Sequence, residues 1–309
     1  MYTLLEDLIT SSDQGRRDIA ANVVAGMLHG DHAANSDYMY LVQDLLLNDV
    51  PLDLVPQGLS AFGLFPAGKS CTILQEEERV SGFLRAIDRA PQAGSAIDAG
   101  CGSSAVLAVA TAVMHPHAEV FAYELNPQAA RCAQFVIELF GFKDRITVEA
   151  ADVLSIEMPK VDLAVTETFG AALLWESGPK ITSALGKVAT TVIPTFAKLF
   201  ARDMPIDPLE DDIVLWHHAG TVNLLDHANV ARGKFASSGT GLRRLRVYSG
   251  FYDNKDEAVV ASVKTDAITT PESIGALEVS EAGQIINFRY RIGVDRKDSY
   301  PRIWTQKAA

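Results

Sequence analysis

Apolar residues recur at helical spacing through the first part of the chain. Leu4, Leu5, Leu8 and Ile9 form one set, Ile19, Val23, Val24 and Met27 a second, and Tyr40, Leu41, Leu45 and Leu46 a third. Such spacing lays apolar side chains along one face of a helix. Residues 1–48 are therefore predicted helical, with a break at Gly30 and Asp31. Residues 49–71 carry Pro51, Pro56, Gly58, Gly63, Pro66 and Gly68 and are predicted to be loop, with room for one short helix. From about residue 72 the pattern changes. Ile73, Glu77, Val80, Phe83, Leu84 and Ile87 outline an amphipathic helix.

Short apolar runs then alternate with helical stretches. The predicted order is strand Ser95–Ala99, helix Ala105–Val113, strand Val120–Tyr123, helix Ala129–Phe140, and strands Ile146–Glu149 and Val161–Thr166. Apolar strands separated by helices imply a parallel sheet covered on both faces. After Pro194 the texture turns to Val, Tyr and Phe between turns, as in Leu245–Tyr252, Ala258–Val263 and Ile285–Gly293. These segments are predicted to be antiparallel strands. The expected plan is a helical cap over 1–71, a Rossmann-like α/β domain over 72–194, and a β-rich domain over 195–309.

Composition narrows the partners. The chain has 309 residues, 48% of them apolar and 21% charged, enough to build a sizeable core. Its net charge is -12 and its pI about 5.0. Binding to a nucleic-acid backbone needs clustered Lys and Arg, so nucleic acid is not expected as a partner, whereas a cationic small molecule suits the charge. No apolar run reaches the ~18 residues of a membrane helix, and the first residues do not read as a signal peptide. The three cysteines, Cys71, Cys101 and Cys132, have neither metal-finger spacing nor an even count. A cytoplasmic location is expected, without a metal. His29 and His32, and His217 and His218, lack a third ligand at a supporting spacing.

The chemistry is concentrated at strand ends. Asp98-Ala99-Gly100-Cys101-Gly102 closes the first parallel strand with a glycine turn ahead of a helix. Gly100 and Gly102 let the backbone approach a ligand closely. The third glycine of a dinucleotide fingerprint is absent, and Asp98 would repel a pyrophosphate but attract an amino group. Glu124 ends the second strand, where a carboxylate can accept both ribose hydroxyls. Asp152 follows the third strand and is placed to receive an adenine amino group. Glu167 follows the fourth strand, and Glu176 stands nine residues later, beyond Gly170. Two carboxylates on one loop can grip a guanidinium with charge-assisted, bidentate hydrogen bonds. Taken alone, the segment equally allows Glu176 to cap the following helix.

In order, DAGCG, AYELN and AADVL resemble the motifs of class I methyltransferases that use S-adenosylmethionine, over about residues 72–195. Thr166 to Ser177, reading TETFGAALLWES, is similar to the paired-glutamate loop of protein arginine methyltransferases. The resemblance implies that Arg79, in ILQEEER, holds the cofactor carboxylate, and that Val192-Ile193-Pro194 leads into a β-barrel domain. It also implies a homodimer. Trp304-Thr305-Gln306 resembles that family's tryptophan loop, but Ile303 stands where the family has histidine. Ser60–Leu64 lacks the family's tyrosine pair. A shortened barrel and an added helical cap point to an enclosed, small acceptor. The expected activity is methyl transfer to free L-arginine or a small guanidino compound, as in bacterial free-arginine N-methyltransferases of natural-product biosynthesis, leaving S-adenosylhomocysteine. Methylation of another small metabolite, of protein arginine, or cofactor binding without turnover are the alternatives.

Overall fold

The computed structural model describes residues 3–48, 73–169, 173, 177–205, 217–226, 230–253, 258–260, 272–292 and 301–306. The loop expected at 49–71 lies outside the described residues. The chain divides into two compact units. One comprises residues 1–167 and 184–193, the other residues 168–183 and 194–309.

The first unit begins with helices α1 (Thr3–Thr10), α2 (Asp13–Leu28) and α3 (His32–Asn48). Ser12 caps α2 by accepting from the Gly15 N–H, an ordinary way to satisfy an open helix start. Leu8, Ala20, Val24, Met27, Tyr38 and Val42 are buried. Arg17 ties α2 down, donating to the Gly141 carbonyl at 2.7 Å and pairing with Asp144 at 2.7 Å. Gly141 has φ +73°, and a Cβ there would stand 2.8 Å from the Asp13 carbonyl. Only glycine meets both conditions without strain.

A 3-10 turn at Ile73–Gln75 precedes α4 (Glu77–Arg89). The single amphipathic helix expected from residue 73 is thus split in two, with Glu76 at the junction. The chain then alternates as expected: β1 (Ser95–Ala99), α5 (Val106–Met114), β2 (Glu119–Glu124), α6 (Pro127–Leu139), β3 (Ile146–Ala150) and β4 (Val161–Thr166). After α7 (Gly178–Leu185), β5 (Ala189–Ile193) completes a parallel sheet of order β3-β2-β1-β4-β5. The strand order reverses at β1, so the crevice beyond the carboxyl ends of β1 and β4 is where such sheets bind ligands.

The second unit is antiparallel. Its strands are β6 (Phe196–Pro205), β7 (His217–Asn223), β8 (Val230–Ala236), β9 (Gly241–Tyr252), β10 (Ala258–Val260), β11 (Glu272–Val279), β12 (Ile285–Arg291) and β13 (Arg302–Gln306). One sheet runs β10-β9-β6-β7 with β11 on β9, and the other β13-β12-β8. The expected tryptophan loop is therefore a strand, with Trp304 opposite Asn287. Alternate residues face inward, among them Leu199, Leu245, Val247, Phe251, Ile286, Phe288 and Tyr290.

Asp203, fully buried, is a charged exception. It accepts from the Arg243 Nε at 2.9 Å, from the Ser237 and Ser238 hydroxyls at 2.7 and 3.0 Å, and from the Ser238 N–H at 3.0 Å. Burial raises its carboxyl pKa, but these donors outweigh burial and hold it below the usual value. A depressed carboxylate contributes stability above its unfolded pKa, and that contribution is lost as the pH falls through the folded value. Asp203→Ala leaves Arg243 buried and unpaired, and is expected to cost about 3–5 kcal/mol in chemical denaturation. Asp203→Leu with Arg243→Met is expected to recover most of that loss; a double variant as unstable as the single one refutes the account.

Candidate functional site

The chain leaves β1 through Gly100 and Cys101, whose N–H groups both donate to the Tyr123 carbonyl at 2.8 and 3.0 Å. Gly102 has φ +63° and donates its N–H to Glu124 Oε2 at 3.0 Å. Glu124 Oε1 accepts from the Asn126 N–H at 2.8 Å. Glu124 thus clamps the turn after β1 to the turn after β2. Each of its oxygens has accepted one hydrogen bond, and a carboxylate offers about four lone-pair positions, so capacity for two hydroxyls remains. Burial raises the Glu124 pKa, and the N–H groups of Asn126, Gly102 and Leu125 oppose that rise.

Ala105, just before α5, is a non-glycine residue with φ +46°, an uncommon conformation that delays the helix to Val106. The turn is held from elsewhere. The Tyr38 hydroxyl of α3 donates to the Ser104 carbonyl at 2.8 Å, and Tyr38 stacks on Phe140 with centroids 5.2 Å apart. The Thr166 hydroxyl donates to the Ala99 carbonyl at 2.8 Å, locking the ends of β4 and β1 together.

Asp98 lies within β1 and is 1% exposed. No donor meets either of its carboxylate oxygens at hydrogen-bonding geometry. Burial pushes its pKa up from 3.8 to about 7; the Ala108 N–H opposes this, and the charges of Glu124 and Glu167 add to it. Leaving buried carboxylate oxygens unsatisfied is costly, which points to a ligand that supplies donors.

Arg79 of α4 is fully buried. It forms ion pairs with Glu167 and, at 3.6 Å, with Glu76. Glu76 is itself buried, so the turn before α4 carries a carboxylate inward. Glu76 and Glu167 flank this guanidinium, and the charges of Glu124 and Glu167 act on Asp98, so the carboxylates here outnumber the one cation and suit cationic groups. The charges of Asp98 and Glu124, added to burial, push the Cys101 thiol well above its usual pKa, so this cysteine is no nucleophile. Among the described residues, no three His, Cys, Asp or Glu side chains converge as a metal site. No helix among them is long and apolar enough to cross a membrane.

Asp98, Gly100, Gly102, Glu124 and Glu167 lie at or near the carboxyl ends of the parallel strands, and Arg79, which the resemblance singles out, lies on α4 in ion pairs with Glu167 and Glu76. Asp152 is exposed beyond β3, where it accepts from the Leu154 N–H at 3.0 Å and the Ser155 hydroxyl at 3.0 Å. Glu176 and Gly170 lie outside the described residues. Tyr38 and Thr166 have no functional signature in the sequence. Each acts through one hydroxyl on a carbonyl 66 or 67 residues away, and nothing local announces such a partner.

Residues 80–192 match the family model of the ribosomal protein L11 methyltransferase. No curated protein matches the chain. Among solved structures, the Trypanosoma brucei PRMT1 enzyme–prozyme heterotetrameric complex with AdoHcy is similar, with 14% identity and a TM-score of 0.55. The alignment covers 76% of this chain and 96% of that one. A PRMT6–SAH structure gives 12% identity, the same TM-score, and coverage of 74% and 96%. Arabidopsis thaliana protein arginine methyltransferase 10 gives 13% identity, a TM-score of 0.53, and coverage of 72% and 89%. At these identities the likeness is one of fold: a Rossmann-like methyltransferase unit followed by an antiparallel β unit.

Proposed function

We propose that the protein transfers a methyl group from S-adenosylmethionine to a guanidino nitrogen, with free L-arginine or a small guanidino compound as acceptor. The observation that carries this reading is the buried Asp98 carboxylate, left without a donor and acted on by the charges of Glu124 and Glu167 at the strand ends of a methyltransferase fold. The cofactor is cationic at its amino group and its sulfur, and the acceptor is a third cation. The matched family model and the AdoHcy- and SAH-bound structural neighbours support the cofactor.

When bound, S-adenosylmethionine supplies a methyl group on a positively charged sulfur. Arg79 holds the cofactor carboxylate, and Asp98 takes the amino group. Glu124 accepts the ribose hydroxyls, and Asp152 retains lone pairs for the adenine amino group. Glu167, with Glu176, grips the guanidinium, draws positive charge away from one nitrogen, and aims that nitrogen along the methyl–sulfur axis. Such positioning supplies a large part of a rate enhancement. With both bound, the methyl would pass from sulfur to that nitrogen, the S–C electron pair returning to sulfur and one N–H proton leaving. The products are a methylguanidinium, S-adenosylhomocysteine and a proton. The match to a ribosomal-protein methyltransferase favours a protein acceptor as the second reading.

Isotope-labelled cofactor with free arginine, agmatine and Arg-containing peptides, read by mass spectrometry, separates these acceptors. Label on free arginine or agmatine and not on peptides is expected. Label on peptides alone transfers the assignment to a protein substrate. Glu167→Gln is expected to lower kcat/KM at least ~100-fold, on the scale of losing one preorganised charge-stabilising group. A variant within a few-fold of the parent would exclude Glu167 from the chemistry.

Cofactor affinity is expected to depend on pH through Asp98. Below about pH 7 the buried carboxyl holds its proton. A cationic amino group favours the ionised form. Affinity should therefore rise with pH up to about 7 and level off above it, and Asp98→Asn should flatten that rise. Calorimetric titrations across neutral pH read this directly, and affinity that falls as the pH rises would sink the assignment.

A further inference from the structure

The sheet of β8, β12 and β13 has two unlike faces. Ala231, Phe235, Ile286, Phe288 and Tyr290 are buried on one. On the other, the register sets Arg232 opposite Arg289, and Arg289 opposite Arg302. Directly paired residues of antiparallel strands share a face, and neighbouring strands are about 4.8 Å apart. Three guanidinium groups therefore stand in one transverse row spanning ~10 Å. The next row along the strands is Lys234, Asn287 and Trp304, and Arg291 follows on the other side. The three strands contain no Asp or Glu.

Like charges placed directly opposite one another destabilise a sheet. Among the described residues, Arg232, Lys234, Arg289, Arg291 and Arg302 have no ion-pair partner. The Asn287 side-chain amide nitrogen, in the middle of the patch, is buried without an acceptor. Trp304 beside it is 47% exposed.

We propose that this face docks a carboxylate-rich segment of a partner protein. Each guanidinium fork matches a carboxylate in two parallel hydrogen bonds. Arg and Trp are the residue types that dominate binding energy at protein interfaces. A nucleic acid fits less well, because it needs cations that track its backbone well beyond such a patch. The proposal rests on the residues of this face and is independent of the methyl-transfer reading.

The test uses the full chain and a fluorescein-labelled, Glu-rich peptide at low salt, read by anisotropy. Saturable binding is expected, weakening as salt rises. Arg289→Glu is expected to lower affinity about tenfold or more, and Trp304→Ala several-fold. Arg289→Gln provides a folded control, expected to melt at or above the parent temperature because it relieves the repulsion, while still weakening the peptide. Absence of saturable binding overturns the proposal, as does equal affinity in a folded Arg289→Glu variant. Tighter binding of a labelled oligothymidylate of equal charge also overturns it, and assigns the face to nucleic acid.

Discussion

A buried guanidinium cannot shed its charge, so Arg79 must be compensated wherever it is placed. Glu167 and Glu76 do so, and this constraint organises the first unit. Helix α4 has to present Arg79 to the end of β4. The 3-10 turn before it has to bring Glu76 inward. Beyond the pinned arginine, Asp98 and Glu124 add negative charge at the ends of β1 and β2. The Thr166 hydroxyl on Ala99 and the Glu124 carboxylate on Gly102 fix the backbone there. Replacing Arg79 would leave the Glu76 and Glu167 carboxylates without their shared cation in a low-dielectric interior.

Much of this was readable in the chain, because parallel strands and their ends are local features. Ser95–Ala99 and Val161–Thr166 fall where the apolar runs place them. The glycine turn and the carboxylates at strand ends are visible in a few adjacent residues. What escaped the pattern depends on distant partners or on backbone conformation. The helix after β1 begins at Val106 instead of Ala105 because Ala105 adopts a left-handed conformation, to which an apolar count is blind. Tyr38 reads as one more core aromatic until its hydroxyl meets the Ser104 carbonyl. Trp304 is expected in a loop only through the resemblance of Trp304-Thr305-Gln306 to the tryptophan loop of protein arginine methyltransferases, whereas here the segment pairs with β12 as a strand.

The two units also divide the charge. The formal excess of -12 resides in the first unit, and the second is balanced. Acidity in the first unit is not spread only over solvent-facing helices; several of its carboxylates converge on the strand ends. In the second unit, neutrality hides two opposite arrangements. Asp203 and Arg243 cancel inside the core, while the arginines of β8, β12 and β13 line up unopposed outside. Net charge alone reveals neither.

The division of the chain has a consequence for how the protein is made. Residues 168–183 belong to the second unit, yet β5, at 189–193, belongs to the first and forms the edge of its sheet beside β4. A ribosome therefore releases β4 well before the strand that covers it. Until β5 emerges, one edge of the parallel sheet stays open, and open edges are where chains pair with the wrong partner. The first unit is thus not an autonomous N-terminal domain that folds and waits, as sequential domains do. It closes only after part of the second unit has been synthesised, and any truncation just past Glu167 would leave a sheet lacking its outer strand.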